Sequence, residues 1–205
     1  MAETNSAMRT KNQKKPMILS KFQAIGNELF TRGLVSSSSG NLSIRLGEHM
    51  VITRRGSKLG GLQENDLIDT GINKNNRSTP LASTELAVHR AIYQQTPALA
   101  IVHAHPPHAV ALSLTDTEIT PSDAEGLSIV GQVPILGWNM EVKPGGLADI
   151  IAQALKKHRI VMVHGHGSFA IGQLLEEAHN CTTTLEESCR VTCLLRSLQV
   201  NPAKE

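Results

Sequence analysis

The sequence predicts a single α/β domain with three layers, helices covering both faces of one central sheet. Three observations lead there. Segments with apolar residues at helical spacing alternate with short apolar runs of strand length, and no internal repeat interrupts them. Two of the runs are close enough to form a hairpin, so an undivided parallel sheet is disfavoured and one mixed or antiparallel sheet fits better. The 205 residues also suit one core, because a chain of this size buries roughly 70% of its unfolded surface.

Residues 1–16 (MAETNSAMRTKNQKKP) are polar, weakly basic and without an apolar stretch, which predicts a disordered tail rather than a secretory signal, with the domain spanning 17–200. Ile18, Phe22, Ile25, Leu29 and Phe30 predict a helix from about Ile18 to Arg32, closed by Gly33. The polar SSSSGN follows, then LSIR and MVIT as two strands turning at Gly47 and Glu48, and RRGSKLGG as a loop. A short run at DLIDTG precedes STELAVHRAIY, which has helical spacing. ALAIVHAH is a core strand leading through Pro106 and Pro107 into the Ala-rich HAVALSL. TDTEITPSDAEG is read as a crossing segment, VPIL as a short strand, and Leu147, Ile150, Ile151, Ala154 and Leu155 mark a further helix. RIVMVHGHGSFAIG predicts two strands broken at Gly165 and Gly167, and a long amphipathic helix runs from about Leu175 to Leu198.

Composition removes several function classes. Twenty Lys and Arg against 18 Asp and Glu give a net charge of +2, unlike a dedicated nucleic-acid binder. Phe22, Phe30, Tyr93, Trp138 and Phe169 are the only aromatic residues, too few for base-stacking platforms. No stretch has the length and apolar character of a transmembrane helix. Cys181, Cys189 and Cys193 are clustered and odd in number, and a helix does not readily give disulfide geometry at i,i+4. A reduced compartment, the cytoplasm, is expected.

The chemistry concentrates in the histidines. His103 and His105 are i and i+2 on a strand, so both imidazoles point to one face. His166, or alternatively His164, can add a third nitrogen from the edge of another strand, and three imidazoles with an open position suit a catalytic divalent metal, zinc foremost. The competing reading is a set of surface or hydrogen-bonded histidines. Glu85 is the candidate proton carrier; the competing reading is an acid placed to favour a helix N-terminus. His89, four residues on, shares its helical face and can pair with it. SSSSGN, with Ser83 and Thr84 before a helix, supplies hydroxyls and amides for an anion. Arg54, Arg55 and Lys58 form a basic loop.

Taken in order, SSGNLS at 38–43, VITRRG at 51–56, STE at 83–85, HAH at 103–105 and HG at 166–167 resemble the class II aldolase/adducin family. The resemblance covers about Ser20 to Leu198 and is to the L-fuculose-1-phosphate aldolase and L-ribulose-5-phosphate 4-epimerase branch. It implies a mainly antiparallel sheet, a homotetramer with sites near subunit boundaries, and one zinc on His103, His105 and His166. It further implies phosphate binding by Ser39, Gly40, Asn41, Thr53, Gly56, Ser83 and Thr84, and acid/base work by Glu85. The expected activity is cleavage of a small phosphorylated ketose to dihydroxyacetone phosphate and an aldehyde. Alternatives on the same machinery are 4-epimerisation, methylthioribulose-phosphate dehydration and sugar-acid phosphate decarboxylation; a non-catalytic adducin-like domain is the alternative of another class. Two departures stand out. Arg55 precedes Gly56 where the aldolase commonly has Thr or Ser, and TPSDAEG at 120–126 lacks the tyrosine that the aldolase borrows from a neighbouring subunit. Asp123 or Glu125 is the expected replacement.

Overall fold

The computed structural model describes residues 2–137 and 146–198, with side chains from Pro16 onward. Helix α1 spans Ala2–Thr31 and contains Pro16, where the sequence predicts the end of a tail. Its packed part begins at Ile18, with Phe22, Ile25 and Leu29 buried at helical spacing. Each large side chain buried this way contributes roughly 1.5–3 kcal/mol. Gly33 ends the helix at φ +71°, a conformation that costs glycine little. The C-terminal end of the expected domain, at residue 200, lies outside the described residues.

The hairpin forms as expected: β1 (Asn41–Leu46) and β2 (His49–Thr53) are antiparallel across Gly47 and Glu48. Strand β3 (Leu67–Gly71) pairs with β2, and helix α2 (Leu86–Gln95) follows. The core strand β4 (Ala100–Ala104) leads into α3 (Pro107–Ser113). The crossing segment holds two elements that periodicity does not reveal, β5 (Glu118–Ile119) and α4 (Ala124–Ile129), both too short to show a pattern. Strand β6 (Val133–Leu136), α5 (Gly146–Ala154), β7 (Ile160–Val163), β8 (Gly167–Gly172) and α6 (Leu175–Ser197) complete the strands and α-helices of the described residues.

The eight strands lie in the order β3-β2-β1-β4-β8-β7-β6-β5. Every pairing is antiparallel except β6 with β7, so the sheet is mixed, and mainly antiparallel. Alternation along β4 assigns the faces. Ala100, Val102 and Ala104 join the core under α1, α3 and α6, while Ile101 joins the core under α2 and α5. His103 shares the parity of Ile101 and therefore faces the α2 side. On β1, Leu42 belongs to the first core, so Asn41 and Ser43 face the same side as His103. That register decides which side chains meet.

Candidate functional site

Strand β4 is flanked by β1 and β8, and its register sets His103 opposite Asn41 on one side and Phe169 on the other. His103 is buried, and its Nδ1 lies 2.8 Å from the Ser168 carbonyl. Only a protonated nitrogen can donate to that oxygen, so Nε2 carries a bare lone pair. His105 Nε2 lies 3.0 Å from it. The β7–β8 turn brings in His166, stacked on His103 at a centroid distance of 5.1 Å. The close approach depends on Gly167: a Cβ there would stand 2.4 Å from the Ala104 carbonyl and 2.9 Å from the His105 ring. One nitrogen from each of His103, His105 and His166 lies within 4.8 Å of the others. His164 is not in this cluster; its backbone N–H bonds to the Leu136 carbonyl.

Glu85 precedes the first residue of α2, at the N-cap, and makes no side-chain cap bond there. Stabilisation of the helix end therefore does not account for its side chain, which turns to the histidines instead. Oε2 lies 3.1 Å from His103 Nε2, and Oε1 lies 3.0 Å from His166 Nε2. Burial pushes the Glu85 carboxyl up, but the hydrogen bonds it accepts from His166 and from the Asn41 amide, in a pocket lined by imidazoles, outweigh it and hold it at about 2. Burial holds His103 neutral, down at about 3. A carboxylate oxygen and a bare imidazole nitrogen thus face each other, two acceptors that need a positive centre between or beside them. Three converging imidazoles beside a carboxylate fit a divalent metal ion, and the nitrogen-rich set suits zinc among the common ones.

The phosphate candidates form a partly continuous wall. Gly40 has φ +77°, and a Cβ on it would meet Val35 at 2.5 Å and the His103 carbonyl at 2.9 Å, so glycine is required both by conformation and by space. Asn41 Nδ2 donates to Glu85 Oε2 at 2.7 Å. Thr53 Oγ1 accepts from the Leu42 N–H at 3.2 Å, and the Thr53 carbonyl accepts from the Ser83 N–H at 3.1 Å. Ser83 Oγ accepts from the Glu85 N–H. These bonds bring Asn41, Thr53, Ser83 and Glu85 together. Ser39 instead engages Ser36, Gly56 sits in the turn after β2 at φ +72°, and Thr84 is exposed.

Asp123 and Glu125 are placed apart from this group. Asp123 caps α4, its Oδ1 accepting from the Gly126 N–H at 2.8 Å, while Glu125 is exposed in the first turn. Neither contacts the histidine cluster within the chain.

Sequence reading named His89 and Asn41 without finding how they meet, and did not single out Ser43 or Tyr93 for the site. His89 does not pair with Glu85 through its ring; its Nε2 lies 2.5 Å from Asn41 Oδ1, and its Nδ1 lies 2.6 Å from Ser43 Oγ. Ser43 Oγ is also 2.8 Å from the Tyr93 hydroxyl. The signal was present as His89 and Tyr93 at i,i+4 on α2, facing Ser43 two residues after Asn41. Burial pushes the His89 imidazole down to about 4 from an ordinary 6.5. An unfolded chain protonates His89 below about 6.5 while the fold resists until about 4, so its contribution is complete above pH 6.5 and declines toward pH 4. The expected loss across that window is ~3 kcal/mol. Urea unfolding at pH 7 and pH 4.5 checks it: His89→Gln should show a shallower decline, and equal slopes would contradict the assignment.

Comparison with known proteins places this geometry. A profile described as Class II Aldolase and Adducin N-terminal domain matches residues 20–193. The L-fuculose phosphate aldolase of Methanococcus maripaludis (strain C7) is 30% identical over 188 residues, covering 89% of this chain and 100% of that protein. The 3-oxo-tetronate 4-phosphate decarboxylase of Pectobacterium atrosepticum is 29% identical over 180 residues, covering 83% of this chain and 81% of that protein. The crystal structure of L-fuculose-1-phosphate aldolase from Thermus thermophilus superposes with a TM-score of 0.85 at 35% identity, covering 90% of this chain and 98% of that one. With the matched span enclosing β1 to β8, Glu85 and all three clustered histidines, the chain belongs to the class II aldolase and adducin family.

Proposed function

We propose that the protein is a zinc-dependent lyase that cleaves a small phosphorylated ketose to dihydroxyacetone phosphate and an aldehyde. The observation that carries this reading is the Glu85 carboxylate within about 3 Å of two of three converging imidazoles. A zinc ion held by His103, His105 and His166 supplies Lewis-acid polarisation of a carbonyl oxygen when bound. Glu85, ionised by its neighbours, takes a proton from C3 of dihydroxyacetone phosphate in the condensation direction. Cleavage runs the same transfer in reverse: the C4 hydroxyl loses its proton, the C3–C4 bond breaks, and Glu85 returns a proton to C3.

Asn41, Thr53 and Ser83, with Ser39, Gly40, Gly56 and Thr84, hold the phosphate, so that binding energy remote from the reacting carbons orients them. The protein is proposed to act as a cytoplasmic homotetramer. The carboxylate that accepts the C4 hydroxyl proton comes from a neighbouring subunit, Asp123 or Glu125. Glu125 is favoured because it is exposed while Asp123 is occupied as a helix cap. Glu125→Gln should lower turnover severalfold with full metal content; unchanged turnover would remove it from the mechanism.

A second reading, decarboxylation of a sugar-acid phosphate, is supported by the decarboxylase relative, which is about as similar as the aldolase one. Dehydration and 4-epimerisation use the same groups, whereas a non-catalytic adducin-like role leaves the histidine cluster without a purpose. Zinc-loaded protein incubated with phosphorylated ketoses and sugar-acid phosphates, with products detected by mass, separates these readings. Two fragments support the aldolase; loss of carbon dioxide, loss of water or an isomer supports its alternatives.

A further inference from the structure

Behind Glu85 runs a line of buried polar groups of which the catalytic proposal uses only Asn41. Tyr93, Ser43, His89 and Asn41 are at most 5% exposed, so no solvent is available to satisfy them in some other arrangement. Their contacts run Tyr93 hydroxyl to Ser43 Oγ, Ser43 Oγ to His89 Nδ1, His89 Nε2 to Asn41 Oδ1, and Asn41 Nδ2 to Glu85 Oε2. The inventory of donors permits one direction. A carboxylate oxygen only accepts, so Asn41 must present its NH2 group to Glu85 and its carbonyl oxygen to His89. His89 must then donate from Nε2. Being neutral, it carries no second proton, and Nδ1 accepts. Ser43 therefore gives its only hydroxyl proton to His89 and has a lone pair left for Tyr93, whose hydroxyl donates.

We infer that Tyr93, Ser43 and His89 form a one-way hydrogen-bond chain that fixes the orientation of the Asn41 amide, and through it the Glu85 carboxylate, with His89 as a positioning residue. Were Asn41 flipped, its carbonyl oxygen would face Glu85 Oε2 and its NH2 group would face the protonated nitrogen of His89, two repulsive contacts at once. Phe169 packs edge-on to the His89 ring at a centroid distance of 6.2 Å and stacks on His103 at 4.2 Å, holding the chain against the histidine cluster. Tyr93 is further fixed at its carbonyl by Arg45, whose guanidinium donates at 2.7 Å. The functional importance of this positioning rests on the reading of Glu85 as the proton carrier.

Neutron diffraction from deuterated, zinc-loaded crystals reads the chain directly and needs no variant to fold. The expected result is deuterium on His89 Nε2 and none on Nδ1, with the Ser43 deuteron aimed at His89. Deuterium on Nδ1, or an Asn41 carbonyl oxygen facing Glu85, would overturn the inference. In turnover, Ser43→Ala should lower kcat about tenfold with zinc content unchanged, the size of one hydrogen bond's contribution. In the Glu85→Gln background the same substitution should cause no further loss, because its effect passes through Glu85. An equal loss in both backgrounds would mark a merely structural hydroxyl and overturn the positioning role. The expected deuterium pattern in a protein that turns over no sugar phosphate would leave the chain standing and refute the proposed function, whereas the wrong pattern in an active enzyme would do the reverse.

Discussion

Glu85→Gln is expected to lower turnover by at least ~100-fold while bound metal is retained, the lower end of general acid–base contributions. The substitution keeps shape and volume. A glutamine amide oxygen still accepts from Asn41 Nδ2, and the imidazoles of His103, His105 and His166 are untouched. What disappears is the ability to take up and release a proton next to them. Because the Glu85 side chain does not cap α2, stability should change little. Steady-state turnover with metal analysis on the same preparation checks it. Full activity would leave Glu85 as a partner of the histidines alone, and simultaneous loss of metal would make it a ligand.

Replacing His103 by alanine is expected to take bound metal from about one per chain to near zero and activity to background, because a catalytic zinc site keeps three protein ligands and has none to spare. Of the three imidazoles His103 is the most buried, and its tautomer is set by the Ser168 carbonyl, which makes it the best preorganised. His105→Ala and His166→Ala should also lose metal after dialysis, whereas His164→Ala should keep most of it. Metal retained without His103, or lost with His164 alone, would contradict the ligand set.

Strand alternation and turn residues made much of this fold legible. The period of two in IVHAH places His103 and His105 on one face, and Gly33, Gly47 and Gly165 mark turns where positive φ is observed. The short β5 and α4 were not legible, because two-residue and six-residue elements carry no period and the α4 cap, Asp123, looks like any loop acid. Glu186 shows the same limit at long range: it accepts from the His108 and Ala109 N–H groups at the start of α3, which lie 78 and 77 residues away in sequence. In the site, ligand-type residues stood out by spacing. The support behind Glu85 did not, since His89, Ser43 and Asn41 meet only once β1 is laid against β4 beneath α2, and a contact across 48 residues leaves no mark on local pattern. Phosphate binding remained at the level of family resemblance, because hydroxyls and glycines are common in loops of every kind.

In the proposed function Glu85, beside a metal on three histidines, moves a proton at the carbon next to the carbonyl of a ketose phosphate. Zinc-loaded protein in deuterium oxide with dihydroxyacetone phosphate alone tests it most directly, since no aldehyde partner needs to be known. One hydrogen on the hydroxymethyl carbon should be replaced by deuterium, and the exchange should be lost in Glu85→Gln and in metal-free His103→Ala. Absence of exchange in the zinc-loaded protein, or exchange that continues unchanged in Glu85→Gln, would contradict it.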